Sequence, residues 1–440
     1  MTTLIDLLSP RYAPIQRVLL DHLNPGAIAR LTCTCKAFGC LWPTLMASDY
    51  NINHKLRHLF KDPREFRSVQ GECGALLEDC HHMFNAGGIL SFIVRSKVEC
   101  TQLIVAVEAT RMAPLVDYLA SDGFVHYDPF PQEPHLSEGL YCTKKLGVDG
   151  ELRLVELRYW DTNQLEVHMY CRRESHRLRF LTWNKAYTMF PYEAFVKETC
   201  HLTGSDDDEL RHYISKAQDL QEDVNSYWTD GVLGVEMDGP SNILRRIGDS
   251  QTWILDLDTA GVAIPETPDT ILESSSFELR RSSSPFVYSA FTDPLASKDE
   301  YPRYDQLYED LSHAVLKYRY LIPPGTGPSV MNKKCDAILK KLDRLTRVEL
   351  EKIPGAERPS TYYEFERGQL KAKHVRDTFT LQGFTLPATW TFYDEEILAD
   401  LNDAWESRDE VWVQDEGQKT AECEHEAEGV VASDENNVGG

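Results

Sequence analysis

Basic residues are scarce in this 440-residue chain: 46 Lys and Arg stand against 70 Asp and Glu, a formal charge of −24. A protein that tracks nucleic-acid phosphates needs clustered cations to release counterions, so the composition argues against a nucleic-acid partner. It argues equally against polybasic attachment to a membrane surface. Long apolar runs are missing as well. The longest, residues 89–94, falls far below the roughly 20 residues a membrane-spanning helix requires, and no membrane partner is expected. Residues 1–9 lack the basic stretch, apolar core and small-residue cleavage site of an export signal. Eleven cysteines, an odd number, are scattered along the chain without the even framework of a small disulfide-bonded protein. They are expected as reduced thiols, in the cytoplasm and/or nucleus.

Catalytic signatures are missing too. No Gly-x-Ser-x-Gly, P-loop, dinucleotide fingerprint or His-Glu-x-x-His occurs. Cys33-x-Cys35-x4-Cys40 and the group Cys73, Cys80, His81, His82 lack the paired spacing of a zinc site, so no metal and no cofactor are expected. What is present is 42% hydrophobic and 10% aromatic sequence, sufficient for packed globular structure in two to three domains. The acid is concentrated at the end. From Asp403 to Gly440 twelve carboxylates face only Arg408 and Lys419, so this segment holds −10 of the −24. With few large apolar residues, residues 408–440 are expected to form a disordered acidic tail.

Near the start, Ile15, Val18, Leu19 and Leu23 fall at helical spacing behind Pro14. Asn24-Pro25 then caps a second short helix, with Ile28, Leu31 and Cys35 as its apolar stripe. This pattern resembles an F-box, a small helical module, over about fifty residues. Pro14, Val18, Leu19, Leu23, Ile28, Leu31, Cys35 and Lys36 occupy the family's positions, whereas Ala13 stands where a leucine is usual and no Glu follows Pro14. The resemblance implies a docking face made of Pro14, Val18, Leu19, Leu23, Ile28 and Leu31 for the small adaptor subunit of a cullin ubiquitin ligase. The alternative is a three-helix cap packed onto the rest of the chain.

From Asp62 the character changes. A helix is expected from Asp62 to about Met83. Ala86-Gly87-Gly88 breaks the pattern, a buried strand follows over Leu103-Ile104-Val105-Ala106-Val107, and a helix runs from Ala109 to Ala120. An alternating strand covers residues 152–157. This order, with Leu178-Arg179-Phe180-Leu181-Thr182 and Ala186-Tyr187-Thr188-Met189-Phe190-Pro191 downstream, resembles the nucleotidyltransferase-like proteins of filamentous fungi over residues 63–195. That family carries a Ser-Gly-Ser turn, an Asp-x-Asp strand and a third carboxylate on a further strand. Two-metal phosphoryl transfer needs the paired carboxylates on one strand face to hold Mg²⁺ against phosphates. Here Gln102 and Ile104 stand where the aspartates belong. Gly87 and Gly88 keep the backbone approach without the serine, and Glu156 or Glu151 is the candidate third carboxylate. The expectation is a catalytically dead transferase scaffold.

Farther along, Asp206-Asp207-Asp208 suits the first turn of a helix. A strand is expected over residues 251–258, where Asp256 and Asp258 are read as solvent-face positions. Residues 265–302, with two serine triplets and five prolines, are expected to be a loop or linker. Within them Arg280-Arg281-Ser282-Ser283-Ser284 resembles the target of a basophilic kinase, which makes Ser282, Ser283 and Ser284 candidate phosphosites. Two helices are expected over residues 304–320 and 330–353. The second carries Lys333, Lys334, Lys340, Lys341, Arg344 and Arg347 on one face, as an intramolecular complement to the acidic body.

The fold expected is therefore mixed α+β or α/β in five parts. An F-box-like helical module covers 1–62 and a degenerate nucleotidyltransferase-like mixed sheet with helices covers 63–264. The linker takes 265–302, a mostly helical region 303–407 and the tail 408–440. The function expected is a non-enzymatic adaptor that binds a protein partner and recruits a target. The alternatives are a divergent Mg-dependent nucleotidyltransferase and a plain interaction scaffold.

Overall fold

The computed structural model describes residues 12–23, 27–28, 45, 49–78, 92–93, 101–128, 139–160, 163–170, 175–197, 199–203, 234–235, 239–283, 286–287, 300–301, 303–324, 330–370, 375, 378–379 and 384–408. Two compact units emerge, residues 1–307 and 308–440. Among the described residues no helix is long and apolar enough to cross a membrane.

The first unit begins with α1 (Ala13–Asp21), α2 (Ile52–Leu56) and α3 (Pro63–Cys73). Local chemistry sets both ends of α3. The Asp62 carboxylate accepts from the amides of Arg64 and Glu65, and Pro63 supplies a first-turn φ without needing a donor. At the other end Gly74 takes φ 66°, the left-handed cap that glycine adopts without strain. The helix expected to reach Met83 therefore stops at Cys73. The chain turns at once into β1 (Leu76–Glu78), and residues 79–83 lie outside the described part. Gly123, at φ 95°, ends α4 (Ala113–Asp122) in the same way.

The remaining strands of the main sheet are β2 (Gln102–Glu108), β3 (Val125–His126), β4 (Leu140–Leu146), β5 (Leu152–Trp160), β6 (Arg179–Leu181) and β7 (Lys185–Thr188). After β8 (Thr199–Cys200), β9 (Leu202–Thr203), β10 (Gly234–Val235) and β11 (Asn242–Arg246), β12 (Trp253–Asp256) completes it. The order is β12-β7-β6-β1-β2-β5-β4-β3. Only β2 and β5 run parallel, with Ile104 beside Glu156; the other pairs are antiparallel. Parallel neighbours need a crossover, and α4, β3 and β4 provide it.

On one face of this sheet Leu77, Val105, Val107 and Leu157 form a single apolar core with Leu20, Ile28, Leu56 and Phe60 from the N-terminal segment. Phe60 and Phe66 stack at 3.9 Å inside it. Polar bonds cross the same junction. Tyr118 Oη donates to the Asp62 carbonyl at 3.0 Å, and the Lys61 amide donates to Asp122 at 3.1 Å. Arg67, fully buried, donates to the carbonyls of Trp183 and Asp258 and to Asn53 Oδ1. Burial pulls its guanidinium down to about 10, against the opposing pull of Asp258. One buried guanidinium thus serves three acceptors at once.

A four-stranded sheet of order β11-β13-β16-β9 uses β13 (Ser276–Arg281) and β16 (Arg303–Leu307); between them lie the short pair β14 (Phe286–Val287) and β15 (Glu300–Tyr301). This corrects two expectations. The presumed linker 265–302 contains the helix Asp269–Glu273 and the central strand β13, because Phe277 and Leu279 alternate with Glu278 and Arg280 and are buried. Serine and proline counts hid that alternation. The helix expected over 304–320 is instead β16, β17 (Glu309–Leu311) and the start of β18 (Tyr320–Ile322). Pairing with β13 and between β17 and β18 supplies backbone partners that outweigh local helical spacing.

The second unit contains the β17–β18 hairpin, a 22-residue helix Val330–Glu351, a short helix Ser360–Glu366 and the helix Asp394–Glu406. The long basic face finds its complement inside the unit. Lys341 reaches Glu396 and Asp400 at 2.6 Å each, Lys334 reaches Asp403 at 2.6 Å, and Lys340 pairs with Asp336 one turn earlier. Asp394 accepts from the amides of Lys317 and Tyr318 and from Tyr320 Oη. Buried Glu349 accepts from Tyr393 Oη and the Thr391 amide. The Glu349 carboxylate, together with burial, pushes the Tyr393 phenol up to about 12. Residues beyond 408, the expected tail, lie outside the described residues.

Candidate functional site on the polar face of the sheet

Side chains of directly paired residues stand on the same face of a sheet. Register therefore places Glu78, Ile104, Glu156 and Cys142 in one row across β1, β2, β5 and β4. The next row is Leu76, Ala106, Arg158 and Leu140. Both rows face away from the apolar core. Over them packs α5 (Gln164–Tyr170), started by Asn163, whose Oδ1 accepts from the Leu165 amide at 2.8 Å.

The helix delivers His168. Its Nδ1 lies 2.8 Å from Glu78 Oε1, with both side chains fully buried. Arg158 joins the two acids: its Nε donates to Glu156 Oε1 at 2.6 Å, and its Nη1 is 3.9 Å from Glu78 Oε2. Cys142 beside them is buried, and burial, reinforced by the Glu156 carboxylate, pushes its thiol up to about 12. Phe180 of β6 meets the His168 ring edge-on and stacks on Tyr187. At that end Lys185 Nζ bonds Glu273 at 2.7 Å and approaches Asp269 at 3.1 Å.

The positions singled out in the sequence fall as follows. Ile104 is completely buried between Glu78 and Glu156, and Gln102 lies on the same face opposite Leu154. Gly87 and Gly88 lie outside the described residues. Two carboxylates, Glu78 and Glu156, thus flank β2, separated by two strand spacings or about 9–10 Å of backbone. The cation between them is a guanidinium anchored on β5. Among the described residues no group of three or more His, Cys, Asp or Glu is arranged to hold a metal ion. Chemically, the cluster is one in which two acids are engaged by Arg158 and by the His168 ring.

Sequence reasoning missed Glu78, Arg158 and His168. Glu78 followed two leucines and was absorbed into the overlong helix. The only available signal was Gly74, which separates α3 from Leu76-Leu77-Glu78.

Of the F-box-like face, Pro14 lies in α1, Val18 is 59% exposed, and Leu19 and Leu23 are half-buried against the core. Ile28 is fully buried, and Leu31 lies outside the described residues. The inward side of α1 is Gln16 and Leu20; its outward side adds Ile15, 44% exposed, to Val18. Ser282 and Ser283 follow β13, and Ser284 lies outside the described residues. Comparison of the chain with protein-family models, with curated proteins and with solved structures found no match.

Proposed function

We propose that the chain is a non-enzymatic interaction protein of F-box adaptor type, carrying a transferase-like sheet as a scaffold for recruiting a target. The observation that carries this is the two-sidedness of α1. Leu20 anchors the helix in the core while Ile15 and Val18, one turn apart, hold apolar surface in water. The resemblance to an F-box implies that such a strip meets the small adaptor subunit of a cullin ligase. The polar face supports the non-enzymatic half, since its acids are engaged by Arg158 and His168 and its central residue is Ile104.

Calorimetric titration of the full chain with the ligase adaptor subunit tests the docking. Saturable binding is expected, lost in Val18→Asp, with the melting temperature unchanged because Val18 contributes little to the core. A wild-type chain that fails to bind overturns the docking. A second reading, a plain scaffold without ligase docking, is favoured by the complete burial of Ile28 in the core shared with the sheet. Saturable Mg²⁺-dependent binding of nucleoside triphosphate would overturn the non-enzymatic reading in favour of a divergent nucleotidyltransferase.

A further inference from the structure

We propose that Ser282 is a phosphorylation site whose phosphate is received by the guanidiniums of Arg303 and Arg280. Ser282 sits where β13 ends, and its amide donates to the Arg303 carbonyl at 2.7 Å, which extends the β13–β16 ladder by one pair. Arg303 Nη2 already donates to Ser282 Oγ at 3.1 Å. The Arg303 side chain is only 6% exposed, so this donor is held in place rather than recruited from solvent. Alternation along β13 puts Glu278, Arg280 and Ser282 on one face, joined by Arg303 and Asp305 from β16. Ser283 follows in a bend beyond the ladder. The arginines that a basophilic kinase reads before the serine, Arg280 and Arg281, are therefore followed by a hydroxyl with a cationic receptor in place.

Both guanidiniums are partly engaged. Arg280 holds Glu278 through Nε and Nη2 at 3.1 Å, and Arg303 Nη2 approaches Asp305 Oδ1 at 3.2 Å. A phosphoserine carries about −1.5 to −2 charges at pH 7 and three acceptor oxygens, so it competes well against one carboxylate. Asp305 is 38% exposed and can turn to water, while Glu278 is nearly buried and keeps Arg280 as a shared partner. The transfer uses a nucleoside triphosphate and a serine kinase. The Ser282 Oγ–P bond forms as the β–γ bridging P–O bond breaks, the diphosphate leaves, and the hydroxyl proton passes to the kinase base. The product pins the open end of β13 to β16.

The test treats the full chain with a basophilic serine kinase and MgATP, maps the phosphate by mass spectrometry and records thermal unfolding. Modification at Ser282 is expected, lost in Ser282→Ala, with the midpoint rising by about 2 °C, the scale of one charge-assisted hydrogen bond in a unit of this size. Arg303→Met should accept the phosphate without the rise, and Asp305→Asn, which removes the competing negative charge and preserves the strand, should enlarge it. Phosphate only at Ser283 or Ser284, none on the folded chain, or an undiminished rise in Arg303→Met would overturn the proposal.

Discussion

On one face of the eight-stranded sheet, Leu77, Val105 and Leu157 meet the N-terminal segment in an apolar core; their immediate neighbours on the same strands, Glu78, Ile104 and Glu156, meet α5. Both faces exclude water around β2, where residues 103–107 are all buried. The first gains from area removed from water, a non-directional effect that tolerates approximate fit. The second depends on each charge having its partner, because a buried pair contributes little net stability yet loses much when one member is removed. The same three strands, by alternation, thus carry a forgiving face and an unforgiving one.

The sharpest way to break this comparison is to place a carboxylate at the centre of the polar row. Ile104→Asp loses a buried aliphatic side chain and sets a third acid between Glu78 and Glu156. A loss of more than about 5 kcal/mol is expected, read as disappearance of the cooperative urea transition. Phe66→Ala probes the apolar face. Removing a ring stacked on Phe60 should cost about 4 kcal/mol, with the same denaturation curve shifted but intact. Glu78→Ala leaves His168 and Arg158 facing a void, at an expected cost of about 3 kcal/mol. Replacing both Glu78 and His168 by Leu should recover much of that, since partner loss rather than apolarity is the damage. A double replacement no better than the single one would sink this account of the polar face.

The smallest effect concerns two thiols, one on each side. Cys73 in the apolar core is pushed up to about 11 and Cys142 on the polar face to about 12, in both cases chiefly by burial. A thiol whose folded pKa is raised adds stability that is complete below its ordinary value of 9.0 and is lost as pH rises through 11 to 12. At pH 9 both should resist iodoacetamide in the native chain and react in urea, and the urea midpoint should fall between pH 9 and 11. Equal labelling of native and unfolded chains at pH 9 would contradict the burial of these groups.

Much of the fold was legible where local chemistry decides it. Asp62-Pro63 announces α3, the run 103–107 announces β2, and the periodicity of residues 330–353 announces the long helix. The complement to that helix's basic face was legible as charge, and the acidic helix Asp394–Glu406 supplies it. Less was legible where pairing decides. Serine-rich 274–284 reads as a loop until β11 and β16 lie on either side of β13. Tyr304 and its successors read as helical until β13 and the β17–β18 hairpin claim their backbone.

The same division holds at the candidate site. The amino-acid order by itself determined that β2 carries Gln102 and Ile104 rather than aspartates, that the chain is acidic, and that α1 is amphipathic, because identity and short-range periodicity are local properties. Only the tertiary structure decided that Glu78 and Glu156 stand on either side of Ile104, that His168 and Arg158 engage them, and that Ile28 turns inward while Val18 remains in water. The first two outcomes depend on strand order and register, and a one-residue slip in register would move Glu78, Ile104, Glu156 and Arg158 to the opposite face of the sheet.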